Sequence, residues 1–262
     1  MTIKLYQVDA FTDHLFSGNP AAVCPLGSEW LDDSMMQAIA MENNLAETAF
    51  YIRRDHRFHI RWFTPALEVE LCGHATLATA HVLFNYENHN HNQIEFESKS
   101  GILSVSKTNE YLSLNFPTDS ITPVSLTKEL TAGFDRVPRE VYRGKTDYML
   151  VFDHEDQIRS IQANLDEIRK LDARGVIITA PGSDADFVSR FFAPQSGIDE
   201  DPVTGSAHTT LTPYWSRKLN KSELTARQLS PRKGFLICRD RGDRTEISGQ
   251  ARLYLKGEIT IS

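Results

Sequence analysis

The feature of this sequence that most limits its fold is a motif that occurs twice. The first copy reads Arg61-Trp62-Phe63-Thr64-Pro65, then an acidic stretch, then Cys72-Gly73-His74-Ala75 before an apolar run. The second reads Arg190-Phe191-Phe192-Ala193-Pro194, then an acidic stretch, then Thr204-Gly205-Ser206-Ala207 before another apolar run. The copies start 129 positions apart in a chain of 262 residues, so each half carries one. Such a repeat predicts two duplicated half-domains with a small ligand bound in the cleft between them.

Composition and charge narrow the classes of function. With 40% hydrophobic residues the chain can bury one large core or two modest ones, and the repeat favours two. The net charge of −7, without clusters of Lys and Arg, gives no general attraction to nucleic acid or anionic membranes. No stretch approaches about 18 uncharged apolar residues, and no basic segment leads into an apolar one near Met1. We therefore expect a soluble, cytoplasmic protein with neither nucleic acid nor membrane as a partner.

The sequence gives no signal for a metal or a cofactor. Three cysteines, an odd number without Cys-x-x-Cys spacing, argue against a disulfide scaffold or a zinc knuckle. The tract Asn88-His89-Asn90-His91-Asn92 contains two histidines, but its asparagines indicate a solvated loop. The glycines are isolated, with no Gly-x-Gly-x-x-Gly run, so a nucleotide cofactor has no support. We expect neither a metal nor a cofactor.

Strand and helix patterns are mixed along the chain, without the regular alternation of a doubly wound sheet. The predicted strands are Lys4–Ala10, Thr48–Ile52, Phe58–Phe63, Ile94–Glu97, Ile102–Ser106, Tyr111–Phe116, Tyr148–Phe152, Gly175–Thr179, Phe187–Phe192, Phe235–Arg239 and Ala251–Ile261. The predicted helices are Asp32–Met41, Ala75–Phe84, a segment near Leu165–Leu171, and Ala207 to about Leu219. A polar link between Pro117 and Pro123 separates lobe 1–117 from lobe 118–262, with the last strand free to return to the first lobe.

The two helices that follow the repeated motif are predicted to be core elements. Ala75–Phe84 has no broad polar face, and the second helix has one apolar face, although Pro213 should kink or loosen it. Their N-termini, at Gly73-His74 and Gly205-Ser206, present unpaired N–H groups and positive dipole ends. Two such ends facing one cleft would bind an anion such as a carboxylate.

Further motifs carry a resemblance to a known family. They are Val8-Asp9-Ala10-Phe11-Thr12, Phe16-Ser17-Gly18-Asn19-Pro20-Ala21-Ala22-Val23, Asn44-Leu45-Ala46-Glu47-Thr48-Ala49-Phe50, Asp199-Glu200-Asp201-Pro202-Val203, Ser230-Pro231-Arg232-Lys233-Gly234 and Gly249-Gln250-Ala251. With the doubled motif, they make the chain resemble the PhzF-like phenazine-biosynthesis family. The resemblance implies the diaminopimelate-epimerase-like fold, an α+β architecture of two pseudo-twofold-related lobes, each a mostly antiparallel sheet wrapped round a central helix. It also implies a homodimer, which the sequence pattern itself does not show.

The resemblance implies a cofactor-independent isomerase acting on a small carboxylated substrate. Family members that act on dihydro-hydroxyanthranilate move a proton with a glutamate as acid and base, and Glu47 matches that position. Apolar neighbours such as Leu45 and Phe50 would reduce its solvation, which suits it both to take up and to return a proton. Taken alone, Glu47 reads equally as a surface residue of a half-buried strand.

His74 and Asp201 match the family's active-site histidine and aspartate. Such a pair can polarise a substrate oxygen or hold the imidazole in one tautomer while the glutamate transfers the proton. The simpler interpretations are a helix-capping role for His74 and an Asp-Pro turn for Asp201. The residues predicted to bind substrate are Asn19, Gly73, Gly205 and Ser206.

Cys72 lies where related epimerases carry one of two catalytic cysteines, and a thiol at a helix N-terminus can be reactive. Its counterpart in the second copy is Thr204, whose hydroxyl is too weak an acid to act as the opposing thiol. Two-cysteine racemisation is therefore not expected, and Cys72 is predicted to be buried and inert. The alternative to an enzyme is a non-catalytic small-molecule-binding protein with a scaffolding or regulatory role.

Overall fold

A computed structural model describes residues 1–54 and 57–261 of the chain. Two compact units are present, Met1–Asn115 together with Ser248–Ser262, and Phe116–Ile247. No helix in the described part of the chain is long and apolar enough to cross a membrane.

The strands and helices alternate irregularly along the chain. The strands are β1 (Thr2–Ala10), β2 (Asn19–Pro25), β3 (Glu47–Arg54), β4 (Arg57–Phe63), β5 (Glu68–Val69), β6 (Gln93–Ser98), β7 (Gly101–Thr108), β8 (Tyr111–Pro117), β9 (Thr122–Pro123), β10 (Glu140–Arg143), β11 (Asp147–Val151), β12 (Gly175–Pro181), β13 (Phe187–Phe192), β14 (Glu223–Gln228), β15 (Gly234–Asp240), β16 (Arg244–Gly249) and β17 (Ala251–Thr260). The helices are α1 (Asp33–Asn43), α2 (Gly73–Tyr86), α3 (Lys128–Ala132), α4 (Glu155–Ser160), α5 (Leu165–Ile168) and α6 (Gly205–Leu219).

The first unit packs a mostly antiparallel sheet against helix α2. Strand β1 pairs antiparallel with β17 and β2, β2 pairs parallel with β3, and β3 pairs antiparallel with β4. Helix α2 lies against β1, β2 and β3. It is buried along most of its length, as its sequence predicts. Its buried threonines are tolerated because Thr76 and Thr79 each donate a hydroxyl hydrogen bond to the carbonyl four residues earlier.

The second unit also combines a mixed sheet with a buried helix. Strand β11 pairs parallel with β12, β12 antiparallel with β13, β13 parallel with β14, and β14 antiparallel with β15. The helix α6 is fixed to this sheet by Trp215, whose indole N–H donates to Thr179 Oγ1 at 3.0 Å. In each unit, a largely buried helix therefore begins at the end of one copy of the repeated motif.

Helix α6 runs from Gly205 to Leu219 without interruption at Pro213, where the sequence predicts a kink or a loosened turn. A proline at this position cannot donate to the carbonyl of Thr209, four residues earlier. That carbonyl instead accepts the backbone N–H of Asp119 at 3.3 Å, and the Asp119 carboxylate accepts a hydrogen bond from Thr210. A neighbouring segment thus replaces the missing helical bond.

The prediction of secondary structure from the sequence is least accurate between the two copies of the repeated motif. One helix near Leu165–Leu171 is predicted there, whereas the structure has three short ones, α3, α4 and α5, of which α5 ends at Ile168. Helices of four to six residues are too short to show an amphipathic period. They cover a core of apolar residues from β10 to β13. Along the whole described chain, the strands β2, β5, β9, β10, β14 and β16 are also absent from the sequence prediction.

Candidate active site

Two strands of the first unit bring Asn19 and Glu47 to one end of the sheet. Asn19 opens β2 and Glu47 opens β3, its parallel neighbour, which pairs Ala21 with Glu47. Gly18 makes the turn into β2 with a φ of +67°, and a Cβ there would lie 2.2 Å from the Ala10 carbonyl oxygen. Only glycine accommodates that approach. Both polar side chains are buried, with Asn19 fully covered and Glu47 8% exposed.

His74, the second residue of α2, lies between these two side chains. Its Nε2 is 3.1 Å from Glu47 Oε2, in ion-pair contact but without the alignment of a hydrogen bond. Its Nδ1 is 3.2 Å from Asn19 Nδ2 and 3.5 Å from Cys72 Sγ. In the neutral ring that accepts the Asn19 amide at Nδ1, the hydrogen sits on Nε2, and in the imidazolium both nitrogens carry one, so the Nε2 hydrogen faces the Glu47 carboxylate in either state. Contacts of this kind often tighten when substrate binds.

The charges of this cluster are coupled. Burial raises the pKa of the Cys72 thiol to about 11, and the nearby Glu47 adds to that shift. The thiol therefore stays protonated at neutral pH, which fits the predicted inert cysteine. Burial on its own would lower the pKa of His74, but its acidic neighbours Cys72 and Glu47 outweigh it and raise that pKa well above the usual value. Since the thiol is neutral at pH 7, Glu47 is the neighbour that favours the imidazolium.

The side chains of Glu47, Cys72 and His74 each offer a potential metal ligand within 4.8 Å of one another. However, Cys72 contacts Nδ1 of the imidazole, whereas Glu47 contacts Nε2. One donor atom from each of the three side chains nevertheless lies within 4.8 Å of the other two, so the expected absence of a metal stays a prediction.

Asp201 lies in the second unit, just before α6, and is 7% exposed. Its carboxylate accepts a hydrogen bond of 2.5 Å from the hydroxyl of Thr204, the residue that precedes the helix. The buried Gln228 of β14 ties this segment together, because it donates to the Asp201 carbonyl and accepts from the Thr204 N–H. The pairing of His74 with Asp201 stays a prediction.

Ser206, the second residue of α6, is half-buried and accepts a hydrogen bond of 3.0 Å from Arg174 Nη1. The guanidinium also forms a bidentate pair with Asp147, which is 2% exposed. The sequence interpretation missed Arg174 and Gln228. Neither belongs to a repeated motif, and each reaches the helix start only through the fold.

Each copy of the repeat contains a matching ion pair that the sequence interpretation also missed. Arg61 and Glu68 form two parallel hydrogen bonds, both of 2.8 Å, and Arg190 and Glu200 form two of 2.7 and 2.9 Å. Both arginines lie over the ring of the phenylalanine two positions later. Glu68 and Glu200 each precede the helix-start glycine by five positions, and this shared spacing is the signal that could have identified them. The pairs restrain the segments that lead into Gly73 and Gly205.

We expect Glu68→Gln to destabilise the protein by about 2 kcal/mol at pH 7 and to have a vanishing effect near pH 2. The hydrogen bonds from Arg61, opposed in part by burial and helped by Lys99, lower the pKa of Glu68 to about 2. A depressed carboxyl pKa stabilises the fold above the unfolded value of about 4.5, and that contribution is lost as the pH falls towards 2. Denaturant unfolding between pH 2 and 7 measures the difference.

The control for this change is Glu223→Gln. Glu223 pairs with Arg239, but its side chain is 61% exposed, so its loss should change stability by less than about 1 kcal/mol at every pH. Equal destabilisation by the two variants, or a Glu68→Gln effect that persists unchanged at pH 2, contradicts the expectation.

Solved structures with little sequence similarity share the fold of this chain. A hydroxyproline epimerase from Agrobacterium vitis superimposes with a TM-score of 0.65 over 98% of this chain and 92% of that one, at 9% identity. At this identity the likeness concerns the fold alone, and it agrees with the predicted α+β, diaminopimelate-epimerase-like architecture, which is confirmed.

Closer similarity defines the family. The family described as phenazine biosynthesis-like protein matches residues 8–257. A PhzF-family crystal structure from Enterococcus faecalis has a TM-score of 0.97 and 45% identity over all of both chains. A protein of Pseudomonas aeruginosa named as an uncharacterized isomerase is 49% identical over the full length of both sequences. The chain belongs to the phenazine biosynthesis-like (PhzC-PhzF) family, as the sequence motifs predict.

Proposed function

We propose that this isomerase moves a proton within a small carboxylated substrate, with Glu47 as both acid and base and without a cofactor. The observation that carries the proposal is the contact of 3.1 Å between the buried carboxylate of Glu47 and Nε2 of His74. A carboxylate held out of water at the start of a strand, next to an imidazole at the start of a helix, is suited to proton transfer.

The proposed reaction begins with Glu47 as a carboxylate. It takes a proton from a substrate carbon, and the electron pair of the broken C–H bond delocalises into the adjacent unsaturated system. The protonated Glu47 then returns that proton to a different carbon, and the carboxylate is restored. Substrate and product have the same atoms and the same number of electrons, so the reaction needs no co-reactant.

His74 supports this transfer through its position beside Glu47. With its ring hydrogen on Nε2, it can stabilise the carboxylate before the transfer or donate to a substrate oxygen on which charge develops. Asp201 is proposed to assist the transfer together with His74. Asn19, Ser206 and the N–H groups of Gly73 and Gly205 are proposed to bind the polar part of the substrate. That both helix starts bind one ligand stays a prediction from the repeat. Homodimerisation stays a prediction from the family resemblance, and a cytoplasmic location stays a prediction from the composition.

Solvent-deuterium incorporation tests the proposal. We expect the wild-type protein to label at least one member of a panel of small amino and hydroxy carboxylates in D₂O, followed by ¹H NMR. Cys72→Ser should label the same compound at a rate within about threefold of wild type, because the protonated thiol takes no part. Loss of labelling in Cys72→Ser would instead indicate thiol chemistry.

Absence of exchange for every compound, together with saturable binding of some of them, would support the alternative of a non-catalytic binding protein. The same panel therefore separates the two functions.

A further inference from the structure

Arg174, which belongs to none of the sequence motifs, contacts Ser206 at the start of helix α6. Ser206 is one of the residues proposed to bind the substrate. Arg174 lies just before β12, and its Nη1 donates to Ser206 Oγ at 3.0 Å. Its Nε donates to Asp147 at 2.9 Å, and its Nη2 donates to the other oxygen of the same carboxylate. One planar group therefore links a buried aspartate to the first turn of the helix.

The guanidinium is held rigidly. Asp147 is 2% exposed and holds the edge formed by Nε and Nη2, while the ring of Phe191 lies 5.2 Å from the guanidinium carbon. That ring is itself packed onto Gly175, where a Cβ would lie 2.5 Å from the ring edge. Burial opposes the charge of Arg174, but Asp147 outweighs it and raises the pKa of Arg174 above its usual value. The side chain is permanently charged and has little freedom to turn.

This arrangement fixes the direction of the Ser206 hydroxyl. A serine hydroxyl has one hydrogen to donate and two lone pairs to accept with. An arginine has only donors, so the Ser206 oxygen must accept from Arg174 and its hydrogen must point elsewhere. Because the donor is charged, it also polarises the hydroxyl and strengthens it as a donor. Ser206 is thereby set to donate, alongside the N–H groups of the first turn of α6, for which the helix itself supplies no partner.

We propose that Arg174 is a positioning residue that sets the Ser206 hydroxyl as a hydrogen-bond donor to the substrate carboxylate. The proposal rests on the proposed function in one respect, the role of Ser206 in substrate binding. Arg174 acts through Ser206, since Asp147 already balances its charge. The competing interpretation is direct contact between the substrate and the two guanidinium hydrogens that neither Asp147 nor Ser206 uses.

A double-mutant cycle with benzoate as the probe separates these interpretations. Benzoate is a stable planar carboxylate, and its binding is followed by ¹H–¹⁵N NMR at the amides of Gly205 and Ser206. We expect saturable shifts in the wild type and about tenfold weaker binding in Ser206→Ala and in Arg174→Lys. Lysine keeps a positive charge near Asp147 but lacks the planar fork that also reaches Ser206. The double variant should bind no more weakly than Ser206→Ala alone.

Three results would overturn the proposal: no saturable shift in the wild type, unchanged affinity in Arg174→Lys, or additive losses in the double variant. Additive losses would indicate direct contact of Arg174 with the ligand. Thermal unfolding of each variant identifies a folding defect. Asp147→Asn provides a second route, since it loosens the anchor of Arg174 and should weaken benzoate binding only when Ser206 is present.

The benzoate cycle is independent of proton transfer. If no compound exchanges deuterium while the cycle shows full coupling, the proposed function fails and the positioning role of Arg174 remains. If exchange occurs but the losses of affinity in the cycle are additive, the positioning role of Arg174 fails and the proposed function remains.

Discussion

Replacing Glu47 by glutamine should lower the rate of solvent-proton exchange into the substrate by about 10²–10⁴-fold. Glutamine has nearly the same shape and can still contact His74, but it cannot take up and return a proton. Glu47→Asp should retain a small part of the activity, because its carboxylate is present but displaced by one methylene. The rate of deuterium incorporation, measured with the compound that the wild-type protein labels, gives the comparison.

The matched control is Glu110→Gln, which removes one negative charge from an exposed residue of the same unit. It should leave exchange unchanged. Labelling that continues at the wild-type rate in Glu47→Gln removes Glu47 from the mechanism, whatever the control shows.

The same variant also tests the electrostatic coupling in the cluster. In the wild type, Glu47 helps to hold the pKa of His74 above its usual value against burial. Once the carboxylate is removed, burial dominates, so the pKa of His74 should fall in Glu47→Gln. The raised pKa stabilises the fold fully below the unfolded histidine value of about 6.5, and this contribution is lost as the pH rises through the folded value. An NMR pH titration of the His74 ring measures the shift directly.

The family motifs, unlike the burial pattern, single out Glu47 and His74 as catalytic candidates. The structure places Glu47 Oε2 3.1 Å from His74 Nε2, a contact that the sequence interpretation did not predict. Yet a charged residue at the start of an apolar strand reads as exposed, since isolated charges are rarely buried. The contact exists because His74 lies at the start of the buried helix α2, which the Ala-rich sequence does predict.

Other parts of the molecule depend on tertiary placement that no local pattern contains. Helix α6 continues through Pro213 because Asp119, far away in sequence, supplies the hydrogen bond that proline cannot. Arg174 reaches Ser206 only because β12 begins beside the helix start. By contrast, the ion pairs of Glu68 and Glu200 could have been predicted, since both precede a helix-start glycine by the same distance.

Gln228 is a buried polar residue whose loss should strongly affect the second unit. It is fully buried, and its amide donates to the Asp201 carbonyl at 2.7 Å and accepts from the Thr204 N–H at 2.8 Å. It also donates to the Thr204 hydroxyl at 3.1 Å. The Thr204 N–H lies at the start of α6, where the helix itself supplies no partner. The Gln228 side chain thus provides hydrogen-bond partners for two backbone groups of the segment that contains Asp201, the Thr204 N–H and the Asp201 carbonyl.

We expect Gln228→Leu to lower the free energy of unfolding by about 3 kcal/mol, because leucine leaves a buried donor and a buried acceptor without partners. The matched control is Gln195→Leu at a half-buried position, which removes hydrogen bonds to the carbonyls of Ile168 and Leu171, although each carbonyl still accepts a backbone N–H. It should change stability by less than about 1 kcal/mol. Denaturant unfolding compares the two variants, and equal stabilities would show that Gln228 does not hold the segment.

Since that segment carries Asp201, Gln228→Leu should also slow deuterium exchange in the fraction that remains folded, whereas Gln195→Leu should not.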